Sequence, residues 1–332
     1  MEHSSVMERL MAKAAEHPLR VVFPEGTEVN ILLGAKKAAE RGIAHPVLIG
    51  EPEVIAQNAR EQGITLDGLE ILPPADEETI DELSTKYVEM GGLLSKKNMS
   101  KRLRTSLYYG AMLLRTHQVD AMVAGLTHST TDVVFAAKAV IGMAEGIKTP
   151  SSIFLMEVPH FEGSEGNLIV FADCGVCIHP EANELADITI TTAHTVEKLL
   201  GWEPRIALLS FSTKGSAKHD DIDKVLEARE YLRQRAPELK VDGELQVDAA
   251  IVPEVAAKKV PEGSEVAGKA NVLIFPDLTA GNIAYKAVQR FAGGNAYGPF
   301  LQGFAQVVSD LSRGSSPEDV LGVTTMAVLC AQ

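Results

Sequence analysis

Ser312-Arg313-Gly314-Ser315-Ser316-Pro317-Glu318-Asp319 brings a serine, an arginine and a carboxylate to the start of a helix. Ser316 fits the N-cap, and Pro317 the first helical position, where no amide hydrogen is missed. Asp319 falls three residues after the cap and faces back to it. Val320, Leu321, Val323, Met326, Ala327 and Leu329 then recur at a spacing that buries one helix face. A helix start gathers unpaired amide donors and positive partial charge. Ser312 and Arg313 beside it would make a pocket for phosphate or a developing oxyanion. The same residues also satisfy a plain capping box with Arg313 in solvent, which is the commoner meaning of such a pattern.

Three more stretches carry chemistry. Leu126-Thr127-His128-Ser129-Thr130-Thr131-Asp132 follows a buried strand and opens a helix, so His128, Ser129, Thr130 and Thr131 can hold a small oxyanion or simply cap. Ser210 to His219 offers hydroxyls, Lys214, Lys218 and a glycine, without the Gly-Lys-Ser/Thr ending of a P-loop. Asp277-Leu278-Thr279-Ala280-Gly281-Asn282 is a third strand-to-helix loop of the same character. Loops of this kind in an acidic chain point to an anionic small molecule. The densest basic segment, Lys96 to Arg104, reads as a helix with Lys97, Lys101 and Arg104 on one face. That face would hold a phosphate of an extended nucleotide-like ligand, or it is a solvated basic surface.

These loops need a scaffold. Apolar clusters at 19–23, 46–49, 69–72, 119–125, 205–209 and 270–276 alternate with helical patterns at 30–40, 54–62, 76–90, 106–114 and 222–236. That alternation predicts an α/β protein with mainly parallel sheets covered by helices, its ligands at strand-to-helix loops. Residues 151–158 and 167–173 read as neighbouring strands around Gly163-Ser164-Glu165-Gly166, so a second lobe begins near Ile147. Residues 182–200 read as helix with a break at 188–191, and 248–252 as a strand.

The chain has 332 residues and a net charge of -14. This length suggests two domains, and the acidic balance argues against a nucleic-acid surface. No apolar run approaches the ~18 residues needed to span a bilayer, and Met1-Glu2-His3-Ser4-Ser5 lacks the features of a signal peptide, so a cytoplasmic location is expected. The three cysteines, Cys174, Cys177 and Cys330, are too few for a disulfide framework. Cys174-Gly175-Val176-Cys177 has no second pair to complete a structural zinc site, and no metal is expected.

Ser210 to Lys218, Asp242 to Ala250, Pro276-Asp277-Leu278 with Gly281-Asn282-Ile283, and Asp310-Leu311-Ser312-Arg313-Gly314 closely resemble the phosphate acetyltransferases (phosphotransacetylases). The likeness runs from Pro24-Glu25-Gly26 to the last helix. It implies reversible acetyl transfer between coenzyme A and inorganic phosphate in acetate metabolism, with coenzyme A as co-substrate and no bound cofactor. It also implies a homodimer of two-lobed chains with a cleft between lobes. The C-terminal helix would return to the first lobe, giving domains at 1–146 with 301–332 and at 147–300.

In its terms Asp319, assisted by Ser312, prepares the thiol, whose unperturbed pKa is about 8.5. Arg313 holds the acyl phosphate and steadies the tetrahedral oxyanion. Lys214, Asn282 and the His128 to Thr131 loop would complete the phosphate contacts. A helix start favours a carboxylate over its acid, so Asp319 would orient the thiol more than remove its proton. Family members commonly carry arginines, associated with coenzyme A phosphates, where this chain has Phe135 and near Glu89. Lys97, Lys101, Arg102 or Arg104 is expected to substitute. Phosphate butyryltransferase and a non-catalytic acetyl-coenzyme A sensor are the alternative readings. A decarboxylating dehydrogenase of the isocitrate type would need a metal-binding carboxylate cluster that the sequence does not display.

Overall fold

The computed structural model describes residues 5–332, so the first four residues of the N-terminal stretch read above lie outside it. Contacts divide the chain into two units, Met1–Glu145 with Phe304–Gln332, and Gly146–Gly303.

The first unit runs α1 (Val6–Ala14), β1 (Leu19–Phe23), α2 (Val29–Glu40), β2 (Ala44–Ile49), α3 (Pro52–Glu61), β3 (Glu70–Leu72), α4 (Glu77–Glu89), α5 (Lys96–Arg102), α6 (Ser106–Arg115), β4 (Ala121–Ala124) and α7 (Thr130–Val140). After the second unit it closes with β11 (Val307–Asp310) and α13 (Pro317–Ala331). Its sheet has the order β11-β4-β1-β2-β3, every pair parallel. Val21, Val22, Phe23, Met122 and Val123 are fully buried, as strands covered on both faces must be. The last helix differs from the one-face expectation: Val320 through Cys330 are all buried. Thr324 and Thr325 tolerate this because their hydroxyls donate to the carbonyls of Val320 and Leu321 at 2.7 and 2.8 Å.

The second unit contains β5 (Ser151–Glu157), β6 (Leu168–Ala172), α8 (Ala182–Leu200), β7 (Arg205–Leu209), α9 (Asp220–Arg235), β8 (Lys240–Leu245), α10 (Val247–Ile251), α11 (Pro253–Lys259), β9 (Val272–Ile274), α12 (Leu278–Phe291) and β10 (Asn295–Gln302). Its six-stranded sheet has the order β10-β5-β6-β9-β7-β8. The β6-β9-β7-β8 pairs are parallel, and β5 is antiparallel to both neighbours. Phe154, Met156, Phe171, Leu273 and Phe275 form part of its core, with Tyr285 stacked on Phe154 at 4.2 Å between ring centroids.

Three local expectations are corrected. Helix α8 is unbroken, because Thr189, Thr191 and Thr192 return their hydroxyls to carbonyls one turn back instead of competing with the helix. Residues 248–252 are not a strand: α10 occupies Val247–Ile251, and the strand is β8 just before it. Helix α5 ends at Arg102, so Arg104 is not on one helical face with Lys97 and Lys101.

Candidate functional site

Two helix N-termini open side by side in the first unit. Helices α7 and α13 follow β4 and β11, which pair in parallel, so both begin beyond the carboxyl ends of adjacent strands. Each carries the same cap. The Ser129 amide and hydroxyl donate to Asp132 Oδ2 at 3.2 and 2.6 Å, and the Asp132 amide donates to Ser129 Oγ at 3.2 Å. The Ser316 amide and hydroxyl donate to Asp319 Oδ2 at 2.8 and 2.9 Å, and the Asp319 amide donates to Ser316 Oγ at 3.2 Å. Asp319 is thus the capping-box residue its spacing suggested, and its Oδ1 has no partner among the described residues.

Helix α2 fixes where α13 starts. Gly34 lets Val320 approach so closely that a β-carbon there would stand 2.5 Å from Val320 Cβ. Asn30 Nδ2 donates to the Ser315 carbonyl at 3.0 Å, and Lys37 pairs with Glu318. Ser312 and Arg313 remain exposed on the loop ahead of this anchored start. Asp132 is held below the usual carboxylate range, first by the Ser129 hydroxyl, with smaller pulls from the charges of His128 and Arg313. The guanidinium is therefore within electrostatic reach of the α7 N-terminus.

Two buried carboxyls that the sequence did not single out organise the loop between β4 and α7. Glu25, two residues after β1, accepts from the amides of Gly125 and Leu126 through Oε2, each at 2.9 Å. Its Oε1 accepts from the Thr127 amide and hydroxyl, both at 2.7 Å, from the His128 amide at 2.9 Å, and lies 2.8 Å from His128 Nδ1. Burial pushes the Glu25 carboxyl up, but the hydrogen bonds from His128 and Thr127 outweigh it and hold it down at about 2. His128 is raised above its usual value, chiefly by the bond to Glu25 and against burial.

Asp310, the last residue of β11, accepts from the Thr130 hydroxyl through Oδ2, while its buried Oδ1 has no partner. Burial pushes this carboxyl up to about 6 despite the Thr130 bond. Gly125, at φ +113°, makes room for it: a β-carbon there would collide with Asp310 Oδ1. The signals for both acids lay at strand ends. Pro24-Glu25-Gly26 follows a clear strand, but β11 has four residues and carries a serine, so the end position of Asp310 was hidden.

The proposed basic face does not survive as one set. Arg104 makes a two-pronged pair with Glu77 at 2.6 and 2.9 Å. Arg102 donates to Tyr108 Oη at 2.6 Å and lies over its ring. Lys97 and Lys101, exposed and one turn apart on α5, carry no such commitment among the described residues. Phe135 is 63% exposed on α7.

In the second unit the Lys214 ammonium is held by Asp242. The hydroxyls of its loop turn inward: Ser212 donates to buried Glu244 at 3.0 Å, and Ser216 Oγ accepts from the Thr213 amide at 3.0 Å. Much of that hydroxyl-rich stretch is therefore self-satisfied. Asn282, in the first turns of α12, donates to the Cys174 carbonyl at 3.2 Å. The Cys174 to Cys177 loop wraps a carboxylate, with the amides of Gly175 and Cys177 donating to Asp173 at 2.9 and 2.5 Å.

The family model described as phosphate acetyl/butaryl transferase matches residues 5–328. A phosphate acetyltransferase of Thermoanaerobacterium thermosaccharolyticum is 43% identical over 331 residues, covering 99% of this chain and 100% of that protein. One from Bacillus subtilis is 43% identical over 309 residues, covering 93% of each. The crystal structure of a phosphotransacetylase from Streptococcus pyogenes matches with a TM-score of 0.91 at 38% identity, covering 99% of both chains. This chain belongs to the phosphate acetyl/butaryl transferase family.

Proposed function

We propose that this protein is a phosphate acetyltransferase that moves an acetyl group reversibly between coenzyme A and inorganic phosphate. The observation that carries the reading is the pairing of two capped helix N-termini at adjacent strand ends, with Arg313 beside them, in a chain 43% identical to a phosphate acetyltransferase over its whole length. An acyl phosphate needs anion-binding amides and a cation that follows charge onto the carbonyl oxygen.

In the thioester-forming direction the thiol attacks the acetyl carbonyl, the carbon–oxygen bond to phosphate breaks, and phosphate departs with that electron pair and takes up the proton the thiol gives up. Arg313 stabilises the tetrahedral oxyanion, and Ser312 with the open Oδ1 of Asp319 directs the thiol. At the α7 N-terminus His128 and Thr131 receive the phosphoryl oxygens, because the Ser129 amide and hydroxyl are committed to Asp132 and the Thr130 hydroxyl to Asp310. Lys97 and Lys101 are the proposed contacts for coenzyme A phosphates, because Arg102 and Arg104 are already engaged.

The protein is further proposed to act as a cytoplasmic homodimer. Helix α12 supports the dimer, since Ile283 and Phe291 on it are 63% and 90% exposed. The deciding assay is thioester formation by purified protein from acetyl phosphate and coenzyme A, repeated with butyryl phosphate. Saturable acetyl transfer is expected. No transfer from either donor, with acetyl-coenzyme A still bound, would refute catalysis, and light scattering tests the dimer.

A further inference from the structure

Glu25 touches none of the groups assigned to the acetyl, the oxyanion or the thiol, yet it is buried and accepts from every backbone amide from Gly125 to His128 and from the Thr127 hydroxyl. Anchoring a loop would need only the amides. The additional contact to His128 Nδ1, at 2.8 Å, does something an anchor does not require. A carboxylate accepts and cannot donate, so the ring must keep its hydrogen on Nδ1. Nε2 is then the atom that gains or loses a proton. It has no partner among the described residues, on a side chain that is 28% exposed.

The two carboxylates nearest the ring act in one direction. Glu25 from the β1–α2 loop and Asp132 from α7 both favour the imidazolium. Asp310, from the end of β11, faces Glu25 and the Thr130 hydroxyl, and Arg313, ahead of α13, acts on Asp132.

We propose that Glu25 is a positioning residue for acyl-phosphate binding: it holds His128 with Nδ1–H turned inward, so that Nε2–H meets the phosphoryl oxygens as a charged donor. This rests on the acyl-phosphate reading of the site. Ligand binding then carries the protonation of His128 as a switch: acetyl phosphate, fully ionised near neutral pH, binds well while the ring is charged and less well once Nε2 is deprotonated. The thiol partner is insensitive to it.

The test follows the His128 ring nitrogens of the full-length protein by NMR through a pH titration, assigned by their loss in His128→Gln, beside KM for acetyl phosphate and for coenzyme A. The wild-type ring is expected to titrate above 6.5 and to stay protonated at Nδ1 when neutral. KM for acetyl phosphate should rise about tenfold through the same midpoint, the scale of a lost charge-assisted bond. Glu25→Gln should lower the ring midpoint and move the KM rise with it, at constant KM for coenzyme A. His128→Gln should abolish the rise.

A wild-type ring that titrates at or below 6.5, or a KM rise that survives in His128→Gln, overturns the proposal. So does a Glu25→Gln variant that binds acetyl phosphate poorly at an unmoved midpoint. If Glu25→Gln does not fold, Glu25→Asp and His128→Gln decide, the first being expected to keep a raised midpoint. A wild-type protein without acetyl transfer would refute the activity while the ring titration still reported on Glu25.

Discussion

Replacing Asp310 with asparagine removes one buried ionisation while keeping an acceptor for the Thr130 hydroxyl. Burial raises the carboxyl from an ordinary 3.8 to about 6. Because the folded state binds the proton more tightly than the unfolded chain, Asp310 favours folding most below pH 3.8, and that contribution is lost as pH rises through about 6. At about 1.4 kcal/mol for each pH unit, the loss amounts to about 3 kcal/mol by pH 7. Burial is the physical source: ionisation places charge on a carboxyl whose buried Oδ1 has no hydrogen-bond partner among the described residues, and the Thr130 bond to Oδ2 does not offset the lost hydration. Urea unfolding of both proteins at pH 4 and pH 7 measures the effect, since ionisations common to the two cancel in the difference. The stability of Asp310→Asn relative to wild type should improve by about 2.4 kcal/mol between the two conditions, because part of the loss has already occurred by pH 4. Parallel behaviour of the two proteins from pH 4 to pH 7 would refute the reasoning.

Three other outcomes follow from the geometry. Gly125→Ala should destabilise the protein by about 2–4 kcal/mol in the same assay, because the new β-carbon meets Asp310 Oδ1 at a φ of +113° that side chains rarely adopt. Asp319→Asn should lower kcat with little change in KM for acetyl phosphate, and unchanged turnover would return Asp319 to capping alone. Charge reversal at Lys97 and Lys101 should raise KM for coenzyme A about tenfold and leave that for acetyl phosphate nearly intact, whereas reversal at Arg104 should chiefly break the exposed pair with Glu77.

What the sequence determined lies within a few residues of itself. Ser316 and Asp319 close their box across three positions, as Ser129 and Asp132 do, and such short loops are legible because chain connectivity already holds the partners together. The strand and helix alternation was legible for the same reason, and the motifs around Arg313 and Lys214 carried the family resemblance. Short strands were not: β10 and β11 lack a long apolar run, and β11 exists because β4 offers it a parallel edge.

Only the tertiary structure decided which groups meet. Glu25 reaches His128 across 103 positions, and Asp310 reaches Thr130 across 180. A strand end marks the place of Glu25, but nothing local marks the state of either acid, which is set by burial and by donors from distant strand ends that exist only once β11, β4 and β1 lie side by side. The basic segment shows the reverse case. Its charges are plain in the sequence, but the fold turns Arg104 to Glu77 and Arg102 to Tyr108, leaving Lys97 and Lys101 uncommitted. Residue type fixed the available chemistry, and packing chose which groups are charged, paired or open.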